Sequence, residues 1–73
     1  MWDPMKSVQS IDRAFQLLGE VADDPAGISE LSRRLDLPTS TVARLLSTLE
    51  GLGAVERLDS GTGYRIGPSV VTM

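Results

Sequence analysis

The sequence contains no cysteine and no histidine. The first absence removes disulfides, thiolate metal ligands and cysteine nucleophiles. The second removes imidazole general bases and the commonest metal ligand. Lysine occurs once, at Lys6. With the carboxylates scattered, no nucleophile–base pair can be assembled, so neither an enzyme nor a cofactor is expected. Aromatic residues are scarce, with one each of Trp2, Phe15 and Tyr64. No uncharged stretch approaches the roughly 20 apolar residues of a membrane span. No charged segment followed by an apolar one opens the chain, so no secretory signal is expected and a cytoplasmic protein is.

What is present is the composition of one small globular domain: 73 residues, 41% hydrophobic and 23% charged. A chain of this size buries only about 60% of the surface its unfolded form exposes. The formal net charge is −3, which at first argues against a polyanionic partner. Its distribution qualifies that argument. Residues 1–32 carry a net −4 and residues 49–73 a net −1, but residues 33–48 carry +2 through Arg33, Arg34 and Arg44 against Asp36. Binding to a polyanion depends on the field at the docking face, not on the total.

The punctuation of the chain gives its order. Residues 1–9, with Trp2 and Pro4, show no periodicity and read as an arm. A first helix is expected from about Ser10 to Asp23, with Ser10 as its cap and Asp12 in its first turn. Its apolar stripe is read as Ile11, Ala14, Phe15, Leu18, Val21 and Ala22, with Leu17 off the stripe as an exposed leucine or a dimer contact. DDPAG at 23–27 ends that helix, and Gly27-Ile28 has room only for a stub of strand. A short second helix, capped by Ser29 and carrying Leu31 and Leu35, ends near Asp36. Leu37-Pro38 makes a tight corner, and Pro38 suits the first position of a third helix. That helix, about 38–52, is terminated by Gly53. Val42, Leu45, Leu46, Leu49 and Leu52 fall on one side of its wheel. Ser40, Arg44, Ser47 and Gly51 fall opposite, and Thr39 falls toward the core. Residues 54–58 and 64–66 read as a hairpin around the turn residues 59–63, which include two glycines able to take positive φ. Residues 68–73 read as the start of a linker.

Helix, stub strand, helix, tight corner, helix and hairpin make a winged helix-turn-helix: mostly α, with a two- or three-stranded wing. The domain proper spans 10–67. In this architecture the third helix enters the major groove and the hairpin 54–66 lies along the backbone or minor groove as a wing. The start of that helix supplies what groove reading needs. Thr39, Ser40 and Thr41 are small and hydroxylic, and Arg44 is a long donor. The bland readings are first-turn hydrogen bonding for Ser40 and Thr41, pairing of Arg33 or Arg34 with Glu30, and pairing of Arg65 with Glu56 across the hairpin. The negative net charge keeps open a winged-helix protein–protein interaction module that does not bind DNA.

The runs SIDRAFQLL (10–18), GISELSRRLDLPTSTVARLLSTLE (27–50), GAVER (53–57) and YRIG (64–67) resemble the DNA-binding domain of the IclR family of bacterial transcriptional regulators. The resemblance spans nearly all of residues 8–69, and LPTSTVARLL (37–46) is its most specific part. It implies a sequence-specific module bound to double-stranded operator DNA, in a homodimer or dimer of dimers. A small-molecule effector would bind only through a C-terminal domain absent here. It further implies DNA contacts at Thr39, Ser40, Thr41, Arg44 and Ser47, with backbone contacts at Arg33, Arg34, Arg57 and Arg65. This chain departs from the family where Thr39 replaces a frequent basic residue, Ala43 a bulky one and Asp36 a common glycine.

Overall fold

The computed structural model describes residues 8–59, 61 and 63–71. The arm with Trp2 and Pro4, and the turn residues Ser60 and Thr62, lie outside the described residues. Four helices and one hairpin follow in order: α1 (Gln9–Asp23), α2 (Ile28–Leu35), α3 (Thr39–Gly51), β1 (Val55–Arg57), β2 (Tyr64–Ile66) and α4 (Pro68–Val71).

Helix α1 begins one residue before the expected Ser10. Its cap position is Val8, which offers no side-chain cap, so Ser10 lies inside the helix. The larger correction concerns the face it buries. Leu17 is fully buried and Val21 nearly so, with Ala14 and Leu18 packed beside them. Ile11 and Phe15 are instead 56% and 71% exposed. At 100° per residue the apolar positions of α1 span an arc of roughly 160°. The rest of the domain covers only the part of that arc centred between Leu17 and Leu18. Ile11, Phe15 and Ala22 lie on the uncovered part.

Helix α2 is capped by Gly27, not Ser29, which sits within the helix. Its end makes the corner. Asp36 adopts the left-handed conformation at φ 54. The Ser32 hydroxyl and the Leu37 N–H both bond within the turn, the first to the Leu37 carbonyl and the second to the Ser32 carbonyl at 3.1 Å. Both polar ends of the corner are thus satisfied locally, and α3 can leave in a new direction. Leu31 at the centre of α2 belongs to the same buried core cluster as Val42 and Leu46 of α3.

Helix α3 starts at Thr39, with Pro38 at the cap. Val42, Leu46 and Leu49 are buried and Leu45 is half-buried, as the wheel requires. Leu52 is not: it is the C-cap residue, 69% exposed. Gly53 then turns the chain at φ +78, a conformation only glycine adopts freely. Thr39, expected toward the core, is exposed.

The hairpin is a two-stranded antiparallel sheet in the register Val55↔Ile66, Glu56↔Arg65, Arg57↔Tyr64. An isolated bridge from Ala26 to Tyr64 lies just before the Gly27-Ile28 stub strand that was expected, and Ile28 instead opens α2. Through that bridge the α1–α2 connection is stitched to the wing, with Tyr64 N–H donating to the Ala26 carbonyl at 2.9 Å. Gly61 takes positive φ in the turn. Where the hairpin meets α3, Gly67 lies against the Gly53 carbonyl so closely that a Cβ would overlap it. The Gly67 N–H bonds the Ala54 carbonyl at 2.8 Å. Ser69 of α4 donates to the Leu52 carbonyl at 3.1 Å. No helix among the described residues is long and apolar enough to cross a membrane.

Candidate nucleic-acid interface

The start of α3 leaves several polar groups without partners among the described residues. Pro38 has no N–H and no side chain that could cap. The first helical bond runs from the Val42 N–H to the Pro38 carbonyl at 3.1 Å. The amides of Thr39, Ser40 and Thr41 therefore lack helical acceptors. No acidic residue occupies the first turn, so the positive end of the helix dipole is uncompensated. Neither Ser40 nor Thr41 makes a side-chain hydrogen bond among the described residues, which leaves both hydroxyls available to a ligand. Thr39, Ser40, Arg44 and Ser47 are exposed and Thr41 is half-buried.

The arginines divide into two groups. Arg34 is tied into the protein. It bonds Glu30 Oε1 through Nε at 3.2 Å and Asp24 Oδ2 through Nη2 at 3.1 Å, and lies 3.8 Å from Glu20. Partial desolvation works against its charge, but the Asp24 hydrogen bond and the Glu30 charge outweigh it and raise its pKa above the ordinary value. Arg33 pairs with Glu30 yet remains largely exposed. In the wing, Arg57 lies 3.4 Å from Glu50 and 5.6 Å from the centre of the Tyr64 ring. Arg65 donates to Glu56 at 2.7 Å, directly across the hairpin. Arg13 and Arg44 form the second group. Neither side chain has an acidic or hydrogen-bonding partner among the described residues.

Two concavities flank the stripe. An open groove of about 590 Å³ between α1 and α3 is lined by Arg13, Phe15 and Leu18 on one side and by Thr41, Arg44 and Leu45 on the other, among others. A shallower one of about 460 Å³ lies between the start of α2 and the wing, where Ser29, Glu30 and Arg33 face Arg57 and Tyr64. The structure thus gathers Thr41 with Arg44, and Arg33 with Arg57. It sets Arg34 and Arg65 apart, each held by carboxylates. Arg13 is the residue that sequence reasoning passed over. It stands in a net acidic segment, and its only sequence signal is helical spacing toward the face that α1 turns to α3. Among the described residues no cluster of three metal-ligating side chains occurs.

The model of the IclR helix-turn-helix domain matches residues 10–59. The chain is 37% identical over 68 residues to an HTH-type transcriptional regulator of Mycobacterium tuberculosis, covering 90% of this chain and 26% of that protein. It is 34% identical over 65 residues to the HTH-type transcriptional regulator TtgV of Pseudomonas putida, covering 86% and 25%. Among solved structures, the Agobacterium tumefaciens repressor BlcR superposes with a TM-score of 0.77 at 31% identity, over 93% of this chain and 28% of that one. The chain thus spans about a quarter of the length of these relatives. Matched over well more than half its length, and folded as a winged helix-turn-helix, this chain belongs to the IclR helix-turn-helix family and is a DNA-binding regulatory domain.

Proposed function

We propose that this domain reads operator DNA by placing the start of α3 in the major groove. One observation carries the reading: α3 presents an acid-free first turn, with amides and an Arg44 that have no partner among the described residues, on one side of the helix. Arg44 forks onto guanine O6 and N7, the commonest specific contact in that groove. Thr39, Ser40, Thr41 and Ser47 border it, close enough to the backbone for hydroxyl contacts to base edges or phosphates. Arg33 and Arg57 exchange their exposed carboxylate partners for phosphates on either side of the helix. Arg34 and Arg65 act by position, the first holding α2 against the end of α1 and the second holding the wing in register.

The domain is one part of a longer cytoplasmic regulator, in which sequence beyond residue 73 brings two or four copies onto a roughly palindromic operator and binds a small effector. The short length of this chain relative to its matched proteins supports that arrangement. Titration of a labelled duplex across a salt series tests the reading. A DNA-binding domain loses affinity steeply as salt rises, because each phosphate contact releases counterions. Negligible duplex binding even at low salt contradicts the proposal and favours a protein-docking module.

A further inference from the structure

Of the six arginines, four pair with carboxylates and two do not among the described residues. The two without partners among the described residues, Arg13 and Arg44, line the same open groove, which no aspartate or glutamate lines. In a domain of net charge −3, positive charge without a counter-charge is therefore gathered on one surface. Arg13 is half-buried. A guanidinium carries five donors and cannot shed its proton. With no acceptor for them among the described residues, those donors are open to an anion. Ser10 and Arg13 stand one turn apart on α1, as do Thr41 and Arg44 on α3. Each helix thus offers the groove a hydroxyl and a guanidinium. Phe15, Leu18 and Leu45 give the same groove an apolar lining.

Building on the reading of α3 as the groove helix, we propose that Arg13 is a DNA contact supplied by α1. It binds a backbone phosphate bordering the major groove that α3 enters, while Arg44 reaches inward. The contact is to phosphate alone, so it fixes the register of the domain on the duplex and carries no base information. The interface accordingly extends beyond the helix-turn-helix to the first helix, which contributes charge without entering a groove.

The test is binding of the 73-residue chain to a labelled duplex over a salt series, with Arg13→Ala, Arg13→Gln and Arg13→Lys beside the wild type. Arg13→Ala and Arg13→Gln should weaken binding several-fold on every duplex sequence. They should also flatten the plot of log affinity against log salt by about 1. Arg13→Lys should keep the wild-type slope, since a phosphate reads charge. Glutamine retains much of the apolar stem, so it tests the contact even where alanine disturbs folding. Wild-type affinity and slope for Arg13→Gln overturn the proposal, as does an equal loss for Gln and Lys, which marks packing in place of charge. An absence of salt-dependent binding by the wild type is a different failure: it removes the reading of α3 itself.

Discussion

Arg34 Nη2 lies 3.1 Å from Asp24 Oδ2, so a residue near the end of the second helix grips the residue that ends the first. Glu20 and Glu30 complete the grip. An arginine so held sets the angle of α2 against α1, and with it the direction in which the corner launches α3. Arg34→Ala should lower Tm by a few degrees while leaving the salt slope of duplex binding unchanged. Arg33→Ala should do the reverse, sparing Tm and flattening the slope by about 1. Thermal melts paired with salt titrations of the two variants separate these roles.

Truncation of α1 should expose the asymmetry of its two apolar sides. Leu17→Ala opens a cavity at a fully buried position and should cost about 2–5 kcal/mol, enough to unfold much of a domain this small. Phe15→Ala removes a larger side chain that is 71% exposed and should change stability by only about 0.5 kcal/mol. Urea unfolding of both variants checks the order, and a greater loss at Phe15 contradicts the assigned face.

Asp36 holds a left-handed backbone without being glycine. That conformation costs a side-chain-bearing residue about 1–2 kcal/mol, partly relieved for aspartate. Glycine removes the strain but adds entropy to the unfolded chain. Asp36→Gly should therefore raise stability by about 0.5–1 kcal/mol, or roughly 2–8 °C in Tm for a domain of this size. Asp36→Ala, which keeps the strain, should not. Calorimetry on the pair decides, and equal Tm values for the two variants count against strain as the cause.

The order of elements is written in local signals. Pro25 and Gly27, Leu37-Pro38 and Gly53 mark three of the chain reversals, and each acts through its own backbone preference. The exposed face of α3 is legible for a related reason. Its apolar residues form a narrow stripe, so the opposite side follows from the wheel. Helix α1 is harder to read because it is apolar over a wide arc, and the positions of β2, α2 and α3 decide which part is covered. Leu17 is therefore buried although it lies off the stripe that periodicity marks, and Leu52 is exposed because the end of α3 leaves it outside the helix whose periodicity includes it. The pairing of Arg34 with Glu30 is legible from its i,i+4 spacing, but the hold of Arg34 on Asp24 and Glu20 joins residues ten or more positions apart, and no local pattern carries that information.

Joining the domain to its partner copies should raise affinity without new DNA contacts. Tethered modules bind their second half-site at an effective concentration that reaches the millimolar range for short linkers. The full-length regulator should therefore bind an operator at least 10²-fold more tightly than the 73-residue chain. Matched titrations on one duplex measure the ratio, and equal affinities argue against the proposed assembly.

The central claim is that Arg44 reads a base from the exposed face of α3, and selection from a pool of randomised duplexes tests it most directly. Lysine keeps the charge of Arg44 but loses the planar fork that grips guanine. Selection with the wild type should return a defined half-site. Selection with Arg44→Lys should return the same half-site with preference relaxed at one base pair, a loss of about 1–3 kcal/mol of discrimination there. An unchanged consensus from Arg44→Lys contradicts the claim and makes Arg44 a phosphate anchor.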